Sequence, residues 1–255
     1  MSKYSLKNFA ISEDIRKKID FVFYNLLERE KPDSILLYGP PGCGKTELAR
    51  SLAGELNFDI FELDSSVLSE YIGQAEKNIR KLFDNAREQG NCVIIIDEFE
   101  ALAYKRENRI RSWEFSQTAE MLKQIENTMR HNKPILLIAT TNYYEMIDTA
   151  MIRKGRFNNH IELSQPNKEL RNKIFKIKLR NLTDYILEKN LVYDNFAANT
   201  EGLTGADIDD IVCNLIPHIL FQKKKKTITN DIIIDAIKQH KNENKTKNNQ
   251  TNYHQ

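Results

Sequence analysis

"ILLYGPPGCGKTELAR", residues 35–50, decides how the chain is read. A strand-like apolar run, Ile35–Tyr38, enters a turn rich in glycine and proline, and a helix-like run leaves it. Gly39, Gly44, Lys45 and Thr46 fit the spacing G-x-x-x-x-G-K-[ST]. Each residue type in that pattern has a physical task. Glycines let backbone N–H groups turn inward around an anion, and the following helix points its positive N-terminus at it. The Lys45 ammonium can neutralise outer phosphates, and the Thr46 hydroxyl can ligate Mg²⁺. Gly39, Pro40, Pro41, Gly42, Cys43, Gly44, Lys45, Thr46 and Glu47 therefore form a candidate nucleotide cradle.

Outward from this turn, strand-type runs recur with helical stretches between them: Asp59–Leu63, Cys92–Ile96, Ile135–Ala139 and His160–Leu163. Ala75–Glu88 carries Ile79, Leu82, Phe83 and Ala86 at helical spacing. Strands alternating with helices imply a parallel sheet covered on both faces. Cys92–Ile96 and Ile135–Ala139 are almost continuously apolar, as central buried strands are. Residues 9–27 read as a helix through Ile15, Ile19, Val22, Phe23 and Leu26, broken at Lys31-Pro32-Asp33. Beyond Pro166 the strand signal stops. Three helical patterns follow, begun by Leu170, Ile208 and Ile232, and Pro217 should kink or end the second. From Asn242 to Gln255 there is almost nothing to bury, so disorder is expected. The expected divisions are a helical lead-in (1–32), an α/β nucleotide-binding domain (33–165), a small all-helical domain (166–241) and a disordered tail (242–255).

Val93–Ile96 runs straight into Asp97 and Glu98. A buried strand delivers such a pair to the carboxyl edge of the sheet, where ligands bind. Asp97 would hold Mg²⁺, directly or through water, and Glu98 would orient and polarise an attacking water. The bland alternative is two acids that simply end a strand in solvent.

Composition narrows the partners. The 255 residues are 40% hydrophobic and 29% charged, with a net charge of only +2. A protein that coats nucleic acid would be strongly basic, so nucleic acid is disfavoured. Cys43, Cys92 and Cys213 are odd in number and without CxxC spacing, which fits free thiols in a reducing compartment. No apolar run approaches the ~20 residues of a membrane span, and the start lacks a signal-peptide apolar region. A soluble, cytoplasmic protein is expected.

Gly39–Thr46, Ile95–Glu98, "IATTN" (138–142), "IDTAMIRKGRF" (147–157) and "GLTGADI" (202–208) come in the order and spacing of the AAA family of ATPases. The chain resembles the group that includes katanin, spastin and the membrane-bound AAA proteases, over roughly residues 9–240. The resemblance implies a P-loop NTPase α/β sheet sandwiched by helices, a helical lid, ATP and Mg²⁺ as ligands, and a ring homo-oligomer, by analogy a hexamer. It implies that Asn142 is the sensor that contacts the terminal phosphate and the water. Arg153 and Arg156 match paired arginine fingers that reach a neighbour's nucleotide. Gly205 and Ala206 fall where the lid packs near the adenine. Tyr71, Ile72 and Gly73 match the aromatic–aliphatic–Gly loop that lines a central pore and grips polypeptide, although Tyr71 also reads as a core tyrosine at a helix start. The basic stretch Tyr104–Trp113 is either a second pore-facing loop or solvated surface. Lys223–Lys226 reads as a solvated helix end.

The chain departs from the pattern in three places. Cys43 stands where the group commonly has Thr, Lys154 replaces a usual Pro, and Pro217 is unusual in the lid. Two function classes follow: an ATPase that remodels, unfolds or disassembles proteins, or a nucleic-acid motor or clamp-loader-like switch on the same core. A non-enzymatic nucleotide sensor is a third, disfavoured because Glu98 and both arginines are present. With no HExxH in the chain, proteolysis is expected from a separate partner, and substrate binding from an adaptor.

Overall fold

The computed structural model describes residues 5–63, 74–103 and 112–251. By their contacts these form two units. The first holds Ile11–Pro41 and Lys45–Ser164, and the second Lys7–Ala10, Gly42–Gly44 and the chain from Gln165 onward.

In the first unit α1 (Glu13–Leu27) starts at Ser12, whose side chain accepts the Ile15 N–H. The helix therefore begins four residues later than the apolar periodicity suggests. Strand β1 (Asp33–Tyr38) leads to α2 (Lys45–Leu56), β2 (Asp59–Leu63), α3 (Gln74–Gln89) and β3 (Cys92–Ile96). Then come α4 (Glu100–Ala103), α5 (Ser112–Met129), β4 (Ile135–Thr141), α6 (Thr149–Ile152) and β5 (Asn159–Glu162). All five strands pair in parallel, in the order β2-β3-β4-β1-β5. β3 and β4 are buried along their whole length, because helices cover both faces of a parallel sheet. The α3 stripe of Ile79, Phe83 and Ala86 packs with Ile94, Ile96, Leu137 and Phe157 in one core. Each fully buried Ile, Leu or Phe among them contributes about 1.5–3 kcal/mol, which makes this sheet a firm platform for the loops at its carboxyl edge. The Cys92 thiol lies in this core, and burial pushes it up to about 12, so it is an inert packing residue.

The second unit contains α7 (Lys168–Arg180), β6 (Ile186–Leu187), α8 (Tyr193–Ala198), α9 (Gly205–Asp210), α10 (Ile216–Gln222), β7 (Thr227–Ile228) and α11 (Asn230–Thr251). It is not all-helical: β6 and β7 form a two-residue parallel ladder, too short to leave a pattern in the sequence. Phe175, Phe196, Ile208, Val212, Leu220 and Ile233 are fully buried in its core. Pro217 does not end its helix, which continues to Gln222, but the regular α-helical pattern is interrupted just before it. A π-helical turn, Ile211–Leu215, precedes it, and the Ile216 N–H donates to the Ile211 carbonyl five residues back. Widening the turn relieves the clash between a proline ring and the carbonyl four residues earlier. The tail also differs from expectation. α11 continues through Thr251 instead of giving way to disorder at Asn242. Its first turns are anchored by Ile232, Ile233 and Ala236, and extending a formed helix is far easier than nucleating one. Residues 252–255 lie outside the described residues. Lys223–Lys226 are exposed, as expected.

Within this unit Thr204 and Asp207 form a capping box at the start of α9. Burial pushes the Asp207 carboxyl up, but hydrogen bonds from the Thr204 N–H and hydroxyl and from His240 outweigh it and hold it below the usual carboxylate range. Stability from this group is therefore fully present above the unfolded carboxyl value of about 4 and is lost as pH falls through the depressed folded value. Denaturant melts between pH 7 and pH 3 should show Asp207→Asn weaker than the parent at neutral pH, with the difference shrinking in acid.

Among the described residues no helix is long and apolar enough to cross a membrane.

Candidate nucleotide site

The register aligns the carboxyl ends of three strands. Tyr38 lies beside Thr141 across β1 and β4, and Ile96 beside Ala139 across β3 and β4. The residues that follow each strand, Gly39, Asp97 and Asn142, therefore emerge along one edge, where open α/β sheets bind ligands.

Gly39 sits at φ +136°, and a Cβ there would lie 2.2 Å from the Leu163 carbonyl oxygen. Only glycine fits this start of the loop. Gly44, at φ +85°, lies against the Phe9 ring, 2.9 Å from where a Cβ would stand. Lys45 is almost fully buried, and its ammonium donates to the carbonyls of Gly39 and Pro40, each at 2.8 Å. The loop thus carries its cation inside its own curve. Thr46 follows in the first turn of α2, and Pro40, Pro41 and Glu47 are exposed around it. Cys43 is half-buried. Ala206 donates its N–H to the Gly42 carbonyl at 3.0 Å, and Gly205 packs near the same oxygen.

Asp97 is the focus of the polar edge. Its carboxylate accepts the Thr46 hydroxyl at 3.0 and 3.2 Å, the Thr140 hydroxyl and the Glu98 N–H at 3.2 Å. One carboxylate and one hydroxyl are a fitting protein share for Mg²⁺, a hard cation that keeps several waters and takes the rest of its shell from substrate phosphates. Thr46 and Asp97 are the residues that would hold it. Thr140 lies inside "IATTN" but has no motif role of its own; its contact with Asp97 is visible only when β3 and β4 are paired.

Glu98 is exposed and sits at φ +51°. A non-glycine residue in the left-handed region costs about 1–2 kcal/mol. Its neighbours hold it there: Glu98 N–H to Asp97, Phe99 N–H to the Thr140 carbonyl at 2.8 Å, and Ala101 N–H to the Glu98 carbonyl at 2.9 Å. These backbone contacts hold Glu98 in that conformation, with the residue exposed directly after β3. Asn142 is also exposed, and its N–H donates to the buried Glu100 at 3.4 Å.

The two arginines differ. Arg153 is exposed, at the end of α6. Arg156 is only 7% exposed. Its guanidinium donates to the Glu126 carboxylate on α5 and to the Ala150 carbonyl, and this bond holds the Glu126 carboxyl below its ordinary range. The two arginines of the paired-finger expectation thus differ in placement, Arg153 at the surface and Arg156 against Glu126. The long-range partner, thirty residues away in sequence, is what sequence reading lacked. Lys154 and Gly155 are exposed between them, in a turn closed by the Arg156 N–H on the Arg153 carbonyl. Tyr71, Ile72 and Gly73 lie outside the described residues, as do 104–111 of the basic stretch.

A parallel sheet of this strand order, with a G-x-x-x-x-G-K-T turn after β1 and an acidic pair after β3, defines a P-loop nucleotide-binding protein. The chain belongs to the AAA family of ATPases: residues 35–165 match the family described as "ATPase family associated with various cellular activities (AAA)". It is 33% identical over 232 residues to the ATP-dependent zinc metalloprotease FtsH 2 of Thermoanaerobacter sp., covering 89% of this chain and 44% of that protein. It is 34% identical over 224 residues to the proteasome-activating nucleotidase of Sulfurisphaera tokodaii, covering 86% and 56%. A cell division cycle protein 48 homolog of Archaeoglobus fulgidus is 37% identical over 181 residues, covering 71% and 24%. The chain thus spans about half or less of the length of these relatives.

Proposed function

We propose that the chain is the Mg²⁺-dependent ATP-hydrolysing motor of a ring assembly, a hexamer by analogy, that remodels, unfolds or disassembles protein substrates. The observation that carries the hydrolytic part is the Asp97 carboxylate joined to the Thr46 hydroxyl with Glu98 fixed beside it. Lys45 exchanges its loop carbonyls for the outer phosphates, where its ammonium meets full negative charge and the contact is stronger. The loop N–H groups bind the remaining phosphate oxygens. When bound, Mg²⁺ supplies positive charge to the phosphates. Glu98 accepts a proton from the attacking water, and Asn142 holds that water and the terminal phosphate in line. Arg153 reaches a neighbour's nucleotide, while Arg156, through Glu126, fixes the turn that carries it. Gly205 and Ala206 pack beside the adenine.

Cys43 makes the cradle testable in its own way. A thiol in this loop is open to alkylation. N-ethylmaleimide should inactivate the ATPase, excess ATP should slow the inactivation, and Cys43→Thr should be resistant and active. Inactivation of Cys43→Thr at the parent rate would place the sensitive thiol elsewhere.

The polypeptide-handling part is supported by the relatives, whose names include a protease and a proteasome-activating nucleotidase, and by the Tyr71-Ile72-Gly73 triplet. An aromatic face grips side chains of any sequence through apolar contact. Tyr71→Ala should leave basal ATP hydrolysis within about three-fold of the parent and eliminate unfolding of a tagged reporter, while Tyr71→Phe keeps both, since apolar grip needs no hydroxyl. Full unfolding activity in a folded Tyr71→Ala protein would contradict threading and direct the search to DNA-stimulated hydrolysis.

A further inference from the structure

Arg153 lies on a turn of four residues, Arg153–Arg156, between the end of α6 and Phe157. A turn of that length with a glycine at its third position is not rigid by itself. One side chain of β5 ties both of its ends. The His160 Nε2 lies 2.9 Å from the Ile152 carbonyl oxygen and 3.2 Å from that of Phe157, the residues immediately before and after the turn. Carbonyl oxygens only accept, so Nε2 carries the proton and is shared between them. In the neutral ring Nδ1 then accepts, and the Tyr144 hydroxyl donates to it at 3.0 Å.

The support continues toward the nucleotide. Tyr144 follows Asn142 by two residues, and its ring lies 4.4 Å from the ring of Tyr38, the last residue before Gly39. It also meets the His160 ring nearly edge-on, at 5.8 Å and 69°. His160 itself is set on the sheet opposite Leu36 of β1. On the other side of the turn Phe157 is buried edge-on against Phe99, one residue past Glu98.

We propose that His160, oriented by Tyr144, is the positioning residue for Arg153, fixing the arginine turn in register with the phosphate loop and the Asn142 segment. This rests on the reading that Arg153 serves a neighbouring subunit's site. A residue with this role acts on the neighbour's nucleotide, not on its own. Misplacement by about 1 Å costs up to about 10²-fold in rate, so His160→Leu is expected to lose about 10- to 100-fold in kcat with nucleotide affinity unchanged. His160→Gln, whose amide N–H can still reach the carbonyls, should recover most of that loss. Tyr144→Phe, nearly isosteric, should lose about three- to ten-fold.

The test measures steady-state ATP turnover, binding of a fluorescent ATP analogue and thermal melting for His160→Leu, His160→Gln, Tyr144→Phe and Arg153→Ala. His160→Leu is then mixed with Lys45→Ala subunits, which keep intact turns, and separately with Arg153→Ala subunits. Recovery of turnover with Lys45→Ala and none with Arg153→Ala supports the proposal, because damage to the subunit's own site would not be repaired by a neighbour. If His160→Leu does not fold, Tyr144→Phe is read in its place. Parent-level turnover in His160→Leu, or in Tyr144→Phe where that variant stands in, alongside an inactive Arg153→Ala overturns the proposal alone. Parent-level turnover in Arg153→Ala overturns the ring reading, and the proposal with it.

Discussion

Glu98→Gln is expected to bind ATP with near-parent affinity and to turn it over about 10²–10⁴-fold more slowly. The phosphate contacts of the loop and of Lys45 do not involve Glu98, so binding survives. What is lost is the group that accepts the water's proton. The amide keeps the size and the left-handed backbone at φ +51°, so the change isolates chemistry from structure. Nucleotide binding by fluorescence and phosphate release from the same preparation separate the two effects. Phosphate release within a few-fold of the parent would remove Glu98 from the catalytic role.

Arg153→Ala is expected to lose about 10³-fold or more in turnover, the usual worth of an arginine supplied to a transferring phosphoryl group. Arg153 is exposed and Arg156 is not. Arg156→Ala should act differently. It leaves the Glu126 carboxylate without its cation and frees the turn, so thermal stability falls together with activity. Melting temperature and phosphate release together distinguish the two arginines: Arg153→Ala loses rate at parent stability.

The sheet was legible because central parallel strands are continuous apolar runs, as Cys92–Ile96 and Ile135–Ala139 are. β1 was less so. It starts at Asp33, two residues before the apolar run, because the buried Asp33 carboxylate is satisfied by Asn25, Asn158 and Asn159. A polar residue compensated from distant parts of the chain looks like a loop residue to any local reading. The nucleotide cradle and Asp97-Glu98 are local motifs and could be read directly. Their supports could not: Thr140 under Asp97, Glu126 on Arg156 and His160 at the ends of the arginine turn are all made by pairing of elements far apart in sequence. The polar end of α11 misled for a related reason, since composition cannot show that a helix already anchored upstream will continue.

The account turns on a site completed by a second subunit, and one mixture tests it. Lys45→Ala lacks a working cradle but has Arg153; Arg153→Ala has the cradle but no finger. Each alone should be nearly inactive. In an equal mixture about a quarter of head-to-tail interfaces join an intact cradle to an intact Arg153, so turnover should rise to a corresponding fraction of the parent and fall again on dilution. A mixture no more active than its components, beside a parent whose specific activity is independent of concentration and which scatters light as a monomer, would contradict the account.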